Sequence, residues 1–180
     1  IAELIDNSLD EEATNVEIEF VGKNRKQFSV IVYDNGNGIE NDEALLEAFS
    51  LAHLKDSIIA KKKTGNLSKT GKFNFGLKIS PLSRCENVTM MSMTDNGTLL
   101  HRRLDKKECS RQKRYGTITS MLDHKAVIKA KKRLENEQGK ENRVRTAVIL
   151  TDFFKHVRKL KFDVNTWFKH CDHLAVYFGL

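Results

Sequence analysis

The sequence predicts a two-layer α/β sandwich, with helices over one face of a mixed, mainly antiparallel sheet. Three observations lead there. Residues 1–13 repeat apolar side chains at helical spacing, residues 16–20 and 28–33 carry strand patterns, and Asp95-Asn96-Gly97 sits between two apolar runs as a hairpin turn. At 180 residues and 39% apolar composition, the chain has material for one hydrophobic core, and residues 1–180 read as a single domain.

The first helix is amphipathic. At about 100° per residue, Glu3, Asn7 and Asp10 share a narrow arc, while Ala2, Leu4, Ile5, Ser8, Leu9 and Ala13 fall largely on the other side. No capping residue precedes it, which reads as a piece of a longer protein. Val16 to Phe20 alternates apolar and polar as a half-buried strand, and Phe28 to Tyr33 is a second strand after the turn at Gly22 to Lys26. Asp34-Asn35-Gly36-Asn37-Gly38 breaks the chain, and Asp42 caps a short helix through about Ser50.

Residues 53–71 are polar, lysine-rich and without period, and read as a loop. A helix is expected after Phe75, limited by Pro81. Val88 to Met93 and Thr98 to Leu104 form the hairpin around Asp95-Asn96-Gly97, and Tyr115 to Met121 is expected as a further strand. Asp123 to Gln138 repeats Ala126, Val127, Ala130 and Leu134 at helical spacing beneath a basic outer face. Thr146 to Thr151 is a short apolar strand. Val164 to Phe178 is a closing helix with Trp167, Phe168, Cys171, Leu174, Ala175 and Phe178 along one side.

Composition narrows the functional classes. No apolar run approaches the roughly 18 residues that suggest a membrane span, so no membrane partner is expected. Three widely spaced cysteines without a CxxC suit reduced thiols in a cytosolic or nuclear compartment. The net charge of +7, clustered at 61–63, 111–114, 129–133 and 158–161, makes nucleic acid a candidate partner and a solvated surface the plainer alternative. His170, Cys171 and His173 lack zinc spacing and read as helix-packing and surface residues.

Three segments carry chemistry. On the first helix, Glu3 and Asn7 can aim a carboxylate and a carboxamide into a cleft, to position water and hold a hard cation through oxygen. A strand ending in Asp34, followed by Gly36 and Gly38, places a carboxylate where it can accept from an amino group beside a backbone without Cβ atoms. Gly71-Lys72-Phe73-Asn74-Phe75-Gly76-Leu77-Lys78 offers small residues and a lysine at a helix start, which suits an anion. It is neither a Walker loop nor a Rossmann fingerprint. Taken singly, these segments read more simply as a polar helix face, a tight turn and a loop.

Their order resembles the Bergerat-fold ATPases, the GHKL group of gyrase B, the ninety-kilodalton heat-shock chaperone, histidine kinases and MutL. Within that group, Ile1-Ala2-Glu3-Leu4-Ile5-Asp6-Asn7-Ser8 and Asp34-Asn35-Gly36-Asn37-Gly38 look like the MORC chromatin ATPases. Phe73 to Lys78, and Thr146 to Thr151 with the helix that follows, are similar to the related chromosome-maintenance ATPases that carry a flexible hinge domain.

The resemblance implies ATP and Mg²⁺ as ligands. Glu3 then matches the general base, Asn7 the magnesium ligand and Asp34 the reader of the adenine amino group, with Gly36 and Gly38 beside the base. Asn74, Phe75, Gly76 and Lys78 match the phosphate cradle, residues 53–71 the ATP lid, and Thr146 the strand threonine supporting the adenine–aspartate network. Asn74 stands for a loop glycine, and Arg145 for the glycine usual before that threonine.

The implied function is an ATPase that drives a conformational or dimerisation cycle in a nuclear, chromatin- or DNA-associated protein. The resemblance also implies a transducer-like downstream domain outside this sequence, so turnover by this stretch alone is expected to be weak. A chaperone ATPase, a histidine-kinase catalytic domain and a nucleotide-sensing scaffold with little hydrolysis are the alternatives.

Overall fold

The alternation that begins at Val16 and the apolar run that ends at Tyr33 pair as an antiparallel ribbon, and this ribbon carries the rest of the fold. The computed structural model describes residues 1–24, 27–49 and 83–154. In chain order the elements are α1 (Ala2–Asp10), β1 (Val16–Asn24), β2 (Gln27–Asp34), α2 (Asp42–Phe49), β3 (Cys85–Met93), β4 (Leu99–Asp105), α3 (Lys106–Gln112), α4 (Lys125–Glu137) and β5 (Thr146–Phe153). The strands form one sheet in the order β1-β2-β5-β3-β4, every described pairing antiparallel. β5, last in the described chain, is the central strand.

An open antiparallel sheet with helices packed on it is the α/β class expected. The expectation that the helices gather on one face needs correction. Leu4 of α1 and Leu45 and Phe49 of α2 pack with Val30, Val32, Val148 and Leu150 on one face. Ala126, Val127, Ala130 and Leu134 of α4 pack with Ile31, Tyr33, Ala147 and Ile149 on the other. The physical reason lies in β2 and β5: consecutive apolar residues point to opposite faces, so both faces need cover.

The acidic side of β1 meets α4. Arg133 places both terminal nitrogens 2.7 Å from the Glu17 carboxylate, its Nε 2.9 Å from Glu137, and its guanidinium 4.3 Å from the Tyr33 ring centre. Lys129 pairs with Glu19. These carboxylates neutralise part of the basic face of α4, and the helix is fastened by charge as well as by its apolar stripe.

Other expectations shift at the edges. The expected strand at Tyr115 to Met121 is a loop touching β4 through one bridge, Arg103 with Ile118. It runs from the Tyr115 hydroxyl on the Phe49 carbonyl (2.7 Å) to Met121 and Leu122 at the opposite core, rounding the sheet instead of extending it. Helix α3 was not anticipated; Asp105 caps it by accepting from the Lys107 and Glu108 amides. The cap of α2 is Asn41, whose Oδ1 accepts from the Ala44 amide at 2.8 Å, one residue before the expected Asp42. The expected helices after Phe75 and from Val164 to Phe178, with the histidines and Cys171 there, lie outside the described residues, as do Ser50 and Pro81.

Candidate functional site

The site is built where β2 ends. Asp34 is the last residue of that strand and pairs in register with Thr146, the first of β5. Both side chains are buried, Asp34 at 7% exposure. A buried carboxylate requires donors, and three converge on it. The Gly36 amide donates to Oδ1 at 3.1 Å, the Ser8 hydroxyl lies 3.1 Å from Oδ2, and the Thr146 hydroxyl also bonds the carboxylate. Burial pushes the Asp34 carboxyl above the ordinary carboxylate range, and the bonds from Gly36, Ser8 and Thr146 oppose that rise without cancelling it.

The loop after Asp34 is stapled to the connection between α1 and β1. Asn35 Oδ1 accepts from the amides of Thr14 (2.9 Å) and Asn15 (2.8 Å), and its Nδ2 donates to Thr14 Oγ1 at 2.8 Å. The Asn37 amide donates to the Glu11 carbonyl at 2.8 Å. Gly36 lies in the crease so formed: a Cβ there would stand 2.7 Å from the Glu11 carbonyl oxygen. Both surfaces are backbone, so neither yields cheaply. Gly36→Ala is therefore expected to displace the loop and to lower stability by about 1–3 kcal/mol, read as a fall in melting temperature against the unaltered chain. Gly38 has φ +72°, a bend that favours glycine, and its neighbours on one side are Arg145 and Ser92.

Ser8 joins this centre to α1. Glu3 and Asn7 stand on the same helix, about 6 Å apart along its axis at 1.5 Å per residue. Glu3 is exposed and Asn7 half-buried. Burial, then the charges of Glu3 and Asp10, push the Asp6 carboxyl up. The polar side of the helix is thus a negative strip around the Asn7 carboxamide. Among the described residues no group of three or more His, Cys, Asp or Glu side chains is arranged to hold a metal.

The structure therefore brings together Asp34, Gly36 and Thr146, and links them through Ser8 to the helix bearing Glu3 and Asn7. Gly38 closes the loop. Asn74, Phe75, Gly76 and Lys78, and the segment 53–71 read as a lid, lie outside the described residues. Ser8 was missed because it shares the apolar side of α1; a hydroxyl at a buried helical position was the available signal. An open hollow of 490 Å³ beside β4 and α3, lined in part by Arg103, Asp105, Glu108 and Arg114, contains none of the expected residues. Its Arg103 and Asp105 pair with each other at 2.7 Å.

Among the described residues, no helix is long and apolar enough to cross a membrane. The sequence model of the family described as "Histidine kinase-, DNA gyrase B-, and HSP90-like ATPase" matches residues 1–139. The chain is 29% identical over 97 residues to the DNA mismatch repair protein MutL of Lactobacillus helveticus, covering 53% of the chain and 14% of that protein. It is 31% identical over 88 residues to the ATPase morc-1 of Caenorhabditis elegans, covering 49% of the chain and 10% of that protein.

Proposed function

Because the chain belongs to the histidine kinase-, DNA gyrase B- and HSP90-like ATPase family, we propose that it binds ATP with magnesium at the end of β2 and hydrolyses it to drive a conformational or dimerisation cycle in a DNA- or chromatin-associated protein. The observation that carries the reading is the buried Asp34 carboxylate, held by Gly36, Ser8 and Thr146. An acceptor fixed in this way suits an exocyclic amino group, and Gly36 and Gly38 keep the adjoining backbone free of Cβ atoms.

Asn7 offers a neutral oxygen ligand within a negative strip. That suits a cation which keeps most of its shell as water and phosphate oxygen. Magnesium held there supplies charge neutralisation at the phosphates. Glu3, one turn earlier and exposed to solvent, is the group proposed to accept a proton from water. Asn74, Phe75, Gly76 and Lys78 are proposed for the phosphates, and residues 53–71 for the lid.

The direction towards DNA rests on the resemblance to MORC proteins and on the relative named as a DNA mismatch repair protein. The chain spans about one seventh and one tenth of the lengths of those two relatives, so nuclear residence, ATP-dependent dimerisation and contact with nucleic acid through the basic clusters are proposals about the whole protein.

Calorimetric titration with ATP and GTP, each with and without magnesium, tests the site. ATP is expected to bind at least about tenfold more tightly than GTP, since a keto oxygen facing a carboxylate loses a hydrogen bond and adds repulsion. Binding of both without preference would overturn the assignment of Asp34.

A further inference from the structure

The residue before Thr146 ties more of the site together than its position suggests. The Arg145 amide donates to the Asp34 carbonyl at 2.8 Å, and its carbonyl accepts from the Met93 amide at 2.8 Å. Ser92 Oγ lies 3.3 Å from that carbonyl and accepts from the Ile39 amide at 2.8 Å. The backbone of Arg145 is thus joined to the ends of β2 and β3 and, through Ser92, to the residue after Gly38.

Its side chain runs against Gly38, where a Cβ would stand 3.2 Å from Arg145 Nε. That Nε is buried and has no hydrogen-bond partner among the described residues. What anchors the side chain is its outer end: a terminal nitrogen lies 2.8 Å from Asp95 Oδ1, which Arg143 also contacts at 3.1 Å. Asp95 belongs to the turn between β3 and β4, and its side chain is 78% exposed.

We infer that Arg145 is a positioning residue for the nucleotide loop, a strut that Asp95 locks from the hairpin tip, and that this ion pair sets ATP affinity from outside the site. The inference rests on the reading of Asp34 and its loop as the adenine site. The Asn35–Gly36–Asn37 side of the loop is held by Thr14, Asn15 and Glu11; Arg145 and Ser92 hold the Gly38–Ile39 side. Without the guanidinium that second side keeps the Ser92 bond but loses its support under Gly38, and the added cost of ordering the loop weakens ATP binding.

The test is calorimetric ATP titration and thermal melting of the unaltered chain and of Arg145→Met, Asp95→Asn, their double variant and Arg145→Lys. Arg145→Met keeps an apolar stem under Gly38 and removes the charge. Arg145→Met and Asp95→Asn are each expected to weaken ATP binding about two- to fivefold, the scale of one largely exposed ion pair. The double variant is expected to be no weaker than either single change, because both act on one contact. Arg145→Lys, which keeps the charge, restores most of the affinity, and melting temperatures move little throughout.

Equal ATP binding by the unaltered chain and both single variants would overturn the inference. So would an affinity loss confined to Arg145→Met and matched by a fall in melting temperature, which marks packing alone. Failure of the unaltered chain to bind ATP is a different result, and overturns the reading of the site itself.

Discussion

Asp34→Asn is expected to weaken ATP binding by about 100-fold or more, while leaving the melting temperature unchanged or raising it. The Gly36 amide occupies Oδ1, so an asparagine keeps its oxygen there and turns its amide nitrogen towards the second position. A donor then faces the adenine amino group, also a donor. Losing a charge-assisted bond of about 1.5–3 kcal/mol and burying a mismatched pair sets the scale.

Stability moves the other way. Burial raises the folded-state carboxyl above its unfolded value, so the ionised group costs folding free energy at neutral pH. On acidification stability is gained as pH falls through the raised folded-state value, and the gain is complete below the unfolded one, the reverse of a salt-bridged aspartate. A neutral asparagine removes that cost at all pH values. ATP affinity should fall over the same interval in which the unaltered protein gains stability. Calorimetry paired with melting curves across pH reads both, and Asp34→Asn binding ATP at the unaltered affinity would sink the assignment.

Glu3→Ala is expected to bind ATP and to lose turnover by about 10²–10⁴-fold, the usual contribution of a positioned general base. Because Glu3 is exposed in the first turn of α1, the substitution should change folding stability by less than about 0.5 kcal/mol. The measurement is phosphate release by the full-length protein, with ATP affinity measured alongside. Equal turnover with alanine at residue 3 removes Glu3 from the mechanism.

Periodicity made much of this legible. The apolar positions of α1 and α4 and the alternation in β1 were visible because each is a local pattern with one solution. Ala126, Val127, Ala130 and Leu134 are all buried, as their spacing required. The loop after Asp34 was legible as a break, since Asn-Gly pairs favour turns, but its staple was not. Asn35 meets Thr14 and Asn15 only after β1 and β2 have paired, and Ser8 meets Asp34 only after α1 has docked.

Residue preference favours a strand at Tyr115 to Met121, but a single bridge to Arg103 gives it no ladder, and without a ladder it is a loop. Two misses left signals in plain view. Asp105 and Glu108 have the spacing of a helix start, and the unbroken apolar run in β2 is the mark of a strand covered on both faces.

The place of β5 in the sheet has a consequence for how the protein is made. β1 pairs with β2 and β3 with β4 as neighbours in the chain, but among the described residues the two ribbons are joined in the sheet through β5. Both hairpins precede Thr146 in the chain, so during synthesis from the N-terminus their inner edges are expected to stay unpaired until β5 is made. Such distant pairing is slow to form, and exposed strand edges invite other chains meanwhile. Thr146 is the first residue of that late strand, so the strand that joins the sheet also completes the donors around Asp34. The joined sheet and the full set of donors around Asp34 are therefore expected to form together, and a ligand that binds only the joined form stabilises it against the open hairpins.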